Sequence, residues 1–421
     1  MRASHDAALS DEGAARIAWA DRQMPVLRAI RERFERARSL EGLRIAVCLH
    51  ITAETANLVR ALRAGGAEVA LCAANPLSTQ DDVAAALVSD HGAEVYGSRG
   101  EDRTAYIRHL ARLVAGSPQI LIDDGAELII AAHESAPALA DTLIGATEET
   151  TTGLVRLRAM EAAGNLRCRV LAVNETLTER VFNDRYGTGQ STIDGILRAT
   201  NLLFAGRVVV VIGFGSAGRG IAQRAKGAGA VVIVCEVDAV RALEARMEGY
   251  EVMNSLAAAG IGEVFITVTG APGVLRREHF ERMLDGAVLA NAGHFDVEID
   301  LAELAALAIG QPHASLPLID DYDLGDGRSL HVLAKGRVVN LAAAAGHPAA
   351  VMDMSFAAQA LAVAHLAQSN GEHPRPETLV GVVEAPPIAL DHEVARLKLT
   401  SLGIEIDVLS GEQERYLRSF R

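Results

Sequence analysis

The chain has 421 residues, half of them hydrophobic, enough for two or three domains with sizeable cores. A net charge of −14 without a basic run argues against nucleic acid or an acidic membrane surface as partner. The longest apolar runs read as strand-length, too short to span a bilayer. The start, Met1-Arg-Ala-Ser-His-Asp, has no signal-peptide core, so a cytoplasmic protein is expected. Residues 10–38 read as helical, with a break at Met24-Pro25. Strand and helix then alternate: strand Leu43 to Leu49, helix Thr52 to Ala64, strand Ala67 to Ala73. Ser78 or Thr79 is placed to cap a helix whose first turn holds Asp81 and Asp82. Ala93 to Tyr96, a helix from Glu101, and Gln119 to Ile122 continue the rhythm, which implies a parallel sheet covered on both faces.

Residues 148–190 are more polar and rich in threonine. Ser191 to Phe204 reads as a helix, with Ser191 and Asp194 resembling a capping box. A second alternating region runs to about 345, punctuated by Gly346-His347-Pro348. An alanine-rich helix over 349–366 and a short mixed tail follow. Cys48, Cys72, Cys168 and Cys235 form no C-x-x-C and read as buried thiols; no metal site is expected.

The clearest motif is the run from Val208 to Gly220. A buried strand leads into Gly213-Phe214-Gly215-Ser216-Ala217-Gly218 and then a helix. Gly213 permits the tight turn, Gly215 lets backbone approach a pyrophosphate, and Gly218 lets helix pack on strand. The helix N-terminus offers free N–H groups to the phosphates. A second strand, Ala230 to Cys235, ends at Glu236, placed to hold a ribose 2′-hydroxyl. That acid favours NAD over NADP.

In open parallel sheets, ligands bind beyond the carboxyl ends of strands. His50, the pair Asp123-Asp124, and His294 fall at such ends. Each has a plainer role available: capping the next helix or bonding a backbone carbonyl.

Long stretches are similar to the S-adenosylhomocysteine hydrolase family. They include Leu49-His-Ile-Thr-Ala-Glu-Thr55, Leu121-Ile-Asp-Asp-Gly125, Glu148-Glu-Thr-Thr-Thr-Gly153, Gly293-His-Phe-Asp-Val-Glu-Ile-Asp300 and Gly346-His-Pro348. The resemblance covers about residues 20–418. It implies two Rossmann-like α/β domains, each a doubly wound parallel sheet, facing each other across a cleft. Residues 1–185 with 349–400 would form the substrate domain, and 190–347 the NAD domain, with 401–421 as a tail. Gly187, Gly189 and Gly346 are placed as hinges. The resemblance also implies NAD-dependent oxidation of a ribose 3′-hydroxyl, elimination at the 5′ position, addition of water and return of the hydride. His50, Asp124 and His294 resemble the 5′ acid–base groups, and Glu149 and Thr150 the groups at the sugar hydroxyls. Thr52, Glu54, Thr55 and His347 complete the substrate set. The cofactor set is Thr151, Thr152, Gly213, Gly215, Ser216, Ala217, Gly218, Glu236, Arg241, Thr269 and Asn340.

Two departures qualify the resemblance. Where the family carries Lys-Phe-Asp-Asn, this chain has Val181-Phe182-Asn183-Asp184, and Thr188 stands where a cysteine is common. The family lysine assists proton removal at the ribose 3′ edge, which valine cannot do. Asn183 and Asp184 are counted among the catalytic candidates, and a shifted alignment would put Arg180 or Arg185 in the lysine's place. The chain also stops at Glu414-Arg-Tyr-Leu-Arg-Ser-Phe-Arg421, before a family tail that reaches a neighbouring subunit's NAD, so weaker NAD binding is expected. The sugar edge is rebuilt while the adenine and 5′ edges are kept. On that pattern the reading is a divergent member, a dehydratase or lyase on an adenine nucleoside with a modified sugar. The alternatives are the hydrolase proper and a non-catalytic NAD- and nucleoside-binding regulator. A homo-oligomer, dimer or tetramer, is expected.

Overall fold

The computed structural model describes residues 7–369 and 381–419. β1 (Arg44–Leu49), β2 (Glu68–Ala73), β3 (Glu94–Tyr96), β4 (Ile120–Asp123), β5 (Gly145–Glu148) and β6 (Arg169–Ala172) build a first sheet. β7 (Val208–Ile212), β8 (Val231–Cys235), β9 (Glu251–Val252), β10 (Val264–Thr267), β11 (Val288–Asn291), β12 (His313–Leu316), β13 (Ile319–Asp323) and β14 (Ser329–Leu333) build a second. β15 (Val382–Glu384) returns to the first. The orders are β15-β6-β5-β4-β1-β2-β3 and β12-β13-β14-β11-β10-β7-β8-β9.

The near-continuous apolar runs make these strands central. Ile45, Val47 and Leu49 enter one core, and Ala46 and Cys48 the core on the opposite face. Val209 and Val211 are likewise separated from Val210 and Ile212. Side chains alternate across a strand, so a run buried on both faces must be apolar throughout. Each fully buried Val, Ile or Leu contributes roughly 1.5–3 kcal/mol.

Every pairing in the first sheet is parallel. The second sheet departs from the all-parallel expectation, because β13 runs antiparallel to both β12 and β14. That edge is half polar (Asp320, Asp321 and Asp323 in β13), as suits a margin facing water on one side.

Other local expectations are corrected. The helix Asp81–Ser89 has Gln80 at its N-cap position, without a side-chain capping bond, and not Ser78 or Thr79, because Pro76–Ser78 forms a short 3₁₀ turn. The helix expected from Ser191 begins at Thr188 and continues a π-helical stretch, Glu179–Gly187. Ser191 therefore lies inside it, donating to the Gly187 carbonyl at 2.8 Å, and Asp194 pairs with Arg198. Gly187 and Gly189 are helical. Their lack of a side chain admits neighbours, since a Cβ would lie 3.0 Å from the His347 ring and 2.6 Å from Gly220 backbone. Close packing is what the structure shows at both positions.

The helix Ala349–Ser369 overturns the reading that no apolar run exceeds strand length. Residues 349–368 are long and apolar enough to cross a membrane by length and composition, but 78% of that span is buried in the protein. It serves as a core helix, packing through Phe356, Leu361 and Val363. Cys48, Cys72, Cys168 and Cys235 are all buried.

Candidate active site

Each sheet reverses its strand order once. In the first, β2 and β3 lie on one side of β1 and β4 to β6 on the other. In the second, β8 and β9 lie on one side of β7 and β10 and β11 on the other. Such reversals open a crevice at the carboxyl ends. His50 follows β1 and Asp124 follows β4; Gly213 follows β7 and Thr269 lies just past β10.

One cleft collects most of the expected residues. His50, Thr52, Glu54, Thr55, Asp124, Glu149, Thr150, Thr151, Thr152, Asn183, Asp184, Ala217, His294, Asn340 and His347 all line it. Gly213, Gly215, Ser216, Gly218, Glu236, Arg241 and Thr269 do not; they sit around the glycine turn and neighbouring strand ends.

At the first crevice, His50 Nε2 stands 3.1 Å from Asp124 Oδ2. His50 Nδ1 lies 2.7 Å from Ser78 Oγ, whose hydrogen is directed to the Asn75 carbonyl at 2.7 Å. Ser78 thus accepts from Nδ1–H, and Nε2 is left as the nitrogen that gains or loses a proton against Asp124. His294 Nδ1 is 4.0 Å from Asp124 Oδ1. Gly125, at φ +102°, makes room for that ring, since a Cβ would lie 3.1 Å from His294 Nε2. Burial pushes the Asp124 carboxyl up, but the charge and hydrogen bond of His50, with His294 and His347 beyond, bring it below its usual range. Burial lowers His294 and takes His347 down to about 4, so that ring is neutral at neutral pH.

Asp123 and Asp124 separate into different tasks. Asp123 accepts from the backbone N–H groups of Asp124 and Ile129, at 3.0 and 2.8 Å, and so fixes the turn. Glu148, which sequence reasoning passed over, accepts from Gly125, Ala126 and Thr150 N–H and from the Thr150 hydroxyl. Its signal was visible as a second acid beside Glu149 after an apolar run. Glu149 itself is buried, with Oε1 lacking a hydrogen-bond partner, and burial holds its carboxyl well above the usual range. Burial also raises Glu54. Several hydroxyls are already engaged: Thr55 donates to the His50 carbonyl at 2.6 Å, and Thr151 to Asn174 Oδ1 at 2.8 Å.

At the second crevice the residues suit a dinucleotide. Gly213 has φ +104°, and a Cβ at Gly218 would lie 2.0 Å from the Gly213 carbonyl oxygen. A Cβ at Gly215 would meet nothing nearer than Arg241 Nη1 at 3.8 Å, so this face of the turn is open for phosphate. The helix Ser216–Gly227 has no side-chain cap on its first N–H groups. Glu236 accepts from Phe214 N–H at 2.7 Å, which ties it to the turn. Arg241 is exposed beyond it. Thr269 donates through backbone and hydroxyl to Glu298, a buried acid the sequence reading left unassigned although it lies in the stretch 293–300. Asn340 Oδ1 is buried without a partner, facing the shared cleft.

The stretch Glu179–Gly187 is π-helical, and its Asn183 and Asp184 line the cleft. Single-turn π features recur at functional sites. Asn183 is buried and donates to Ser355 Oγ at 3.0 Å. Asp184 lines the cleft, and burial raises its carboxyl to about 6 against the pull of Arg180. Val181 is 43% exposed and is not among the lining residues. Glu179 in the same stretch is 1% exposed, and burial pushes its carboxyl up to about 8 against the pull of Ser355 and Asn183. Nothing in the local sequence marked Glu179 as buried.

Comparison with known proteins agrees with this layout. Residues 3–138 match the family described as S-adenosyl-L-homocysteine hydrolase, and residues 184–346 match its NAD binding domain. The chain is 53% identical over 415 residues to "Adenosylhomocysteinase" of Aquifex aeolicus (strain VF5), covering 99% of this chain and 98% of that protein. It is 52% identical to the protein of that name from Thermococcus kodakarensis, covering 99% and 97%. The counterpart from Gloeobacter violaceus is 51% identical, covering 98% and 95%. Identity of this order over whole chains corrects the expectation of a merely divergent member.

Proposed function

The chain belongs to the S-adenosyl-L-homocysteine hydrolase family, and from that premise we propose that it cleaves adenosylhomocysteine to adenosine and homocysteine. It is an NAD-dependent enzyme of the adenosylhomocysteinase type, which removes the regulator reading. The carrying observation is the 53% identity, over nearly the full length of both chains, to a relative named Adenosylhomocysteinase.

In this reading the glycine turn, the uncapped helix start, Glu236 and Asn340 hold NAD, with Thr151, Thr152, Ser216, Ala217, Arg241 and Thr269 around it. Bound there, NAD supplies a hydride acceptor and donor for the sugar 3′-carbon. Thr52, Glu54 and neutral His347 receive the adenine, and Glu149 and Thr150 the sugar hydroxyls. Once the 3′-carbon is a ketone, the C4′ hydrogen is acidic and the 5′ substituent can leave. The His50–Asp124 pair, with His294, holds and returns the proton at the 5′ position. Burial of the cleft keeps water from the wrong steps. Copies of the chain assemble in this reading, because exposed Ile404, Ile406, Val408 and Leu417 call for cover.

The deciding experiment is incubation of the NAD-loaded protein with adenosylhomocysteine, products followed by mass spectrometry. A second reading has its own observation: Asn183 and Asp184, in the segment that departs from the pattern the resemblance implies, line the cleft. It makes the enzyme a dehydratase on an adenine nucleoside with a modified sugar, losing the 5′-hydroxyl as water. Loss of one water from such a nucleoside, with adenosylhomocysteine untouched, would select it.

A further inference from the structure

We propose that the ion pair of Arg156 and Glu127, at the rim of the cleft, is the subsite for the amino-acid end of the substrate. This rests on the reading that adenosylhomocysteine is cleaved here. Its 5′ arm leaves the sugar as a thioether and ends in an α-carbon that bears an ammonium and a carboxylate. The cleft itself offers that carboxylate no permanent cation. Among the described residues lining it there is no lysine or arginine, while Glu54, Asp124, Glu149 and Asp184 are all acids. The partner of the carboxylate has to stand where the arm emerges.

Topology supplies that partner beside the 5′ groups. β4 and β5 are parallel neighbours with Asp123 opposite Glu148, so the helices that follow them, Glu127–Ser135 and Thr151–Ala162, start from the same sheet edge. Arg156 Nη1 donates to Glu127 Oε1 at 2.8 Å and to the Gly125 carbonyl at 2.6 Å. Gly125 directly follows Asp124 and leaves the space that the His294 ring occupies. After burial, Asp124 and His50, the influences that His294 feels most are the charges of Arg156 and Glu127. Neither side chain is in the cleft lining, and they are 33% and 30% exposed, open to an arm that comes out past His294. Among the described residues, Arg156 Nη2 and Glu127 Oε2 make no hydrogen bond. An ion pair matches a zwitterion when each charge takes its opposite, here the guanidinium with the carboxylate and Glu127 with the ammonium. A neutral 5′ group gains nothing from the pair, which therefore selects the 5′ arm.

The test uses NAD-loaded wild type, Arg156→Ala and Glu127→Gln. It measures kcat and KM for adenosylhomocysteine, and the inhibition constants of three analogues that compete with it. These are the decarboxylated and the deaminated thioethers and 5′-methylthioadenosine, which lacks both charges. Wild type should prefer adenosylhomocysteine to the methylthio compound. R156A should lose about tenfold of that preference, through KM and not kcat, and E127Q a similar factor. R156A should also lose discrimination against the decarboxylated analogue, and E127Q against the deaminated one. Variants that keep the wild-type preferences would overturn the subsite. So would variants that bind every compound more weakly by one factor, since Arg156 would then only hold the Gly125 carbonyl in place. Wild type that binds adenosine but leaves adenosylhomocysteine uncleaved would instead sink the hydrolase reading, and the subsite with it.

Discussion

His50 and Asp124 meet at 3.1 Å although 74 positions separate them, because they leave the ends of adjacent parallel strands at the point where the first sheet reverses. The pair is thus built by topology, and its chemistry can be separated from that of the sugar edge. Asp124→Asn keeps shape and removes charge. It should lower turnover by roughly 10²–10⁴-fold while the 340 nm rise on mixing with adenosine survives. Loss of both signals together would mean that Asp124 acts on the sugar oxidation or only on the fold.

The glycine turn gives a steric prediction. A methyl at Gly218 would sit 2.0 Å from the Gly213 carbonyl oxygen, so backbone must move to admit it. Gly218→Ala should destabilise the fold by about 1–3 kcal/mol and remove the thermal stabilisation conferred by NAD. An NAD-induced shift equal to wild type would contradict this account of the turn.

Glu236 should set cofactor choice. Its carboxylate lies against Phe214 N–H, where a 2′-phosphate would place like charges together. Titration by fluorescence should give NAD a preference over NADP of roughly 100-fold. Equal affinities would remove Glu236 from the ribose site.

Glu179 makes a prediction about pH and stability. Its folded value of about 8 lies above the ordinary 4.5, so the folded protein binds the extra proton between those limits. Stability is therefore favoured below pH 4.5 and declines as pH rises toward 8. Glu179→Gln, which cannot ionise, should be more heat-stable than wild type at pH 8. The difference should shrink toward pH 5 and amount to a few kcal/mol at most, on the order of 1.4 kcal/mol per pH unit. A constant offset at both pH values would show that Glu179 is not buried as an acid.

Much of this molecule was legible in its sequence where one physical rule acted alone. Strands buried on both faces announce themselves as Val208 to Ile212 does, and polar residues just past them, His50, Asp124 and His294, fall at the crevice by topology. Rules that act between distant segments were hidden. Ser191 and Asp194 have the spacing of a cap, but the preceding π-helical stretch carries the helix through them. The antiparallel edge β12–β14 shares the alternation of a βα unit. Glu148, Glu179 and Glu298 look like surface acids until the backbone groups or apolar walls around them are known.

The most direct test of the proposed function is product analysis with adenosylhomocysteine and the NAD-loaded protein. Adenosine and homocysteine, formed with no net change in NAD, are the predicted result. An untouched adenosylhomocysteine pool, with another adenine nucleoside losing one water, would contradict the hydrolase and establish the dehydratase in its place.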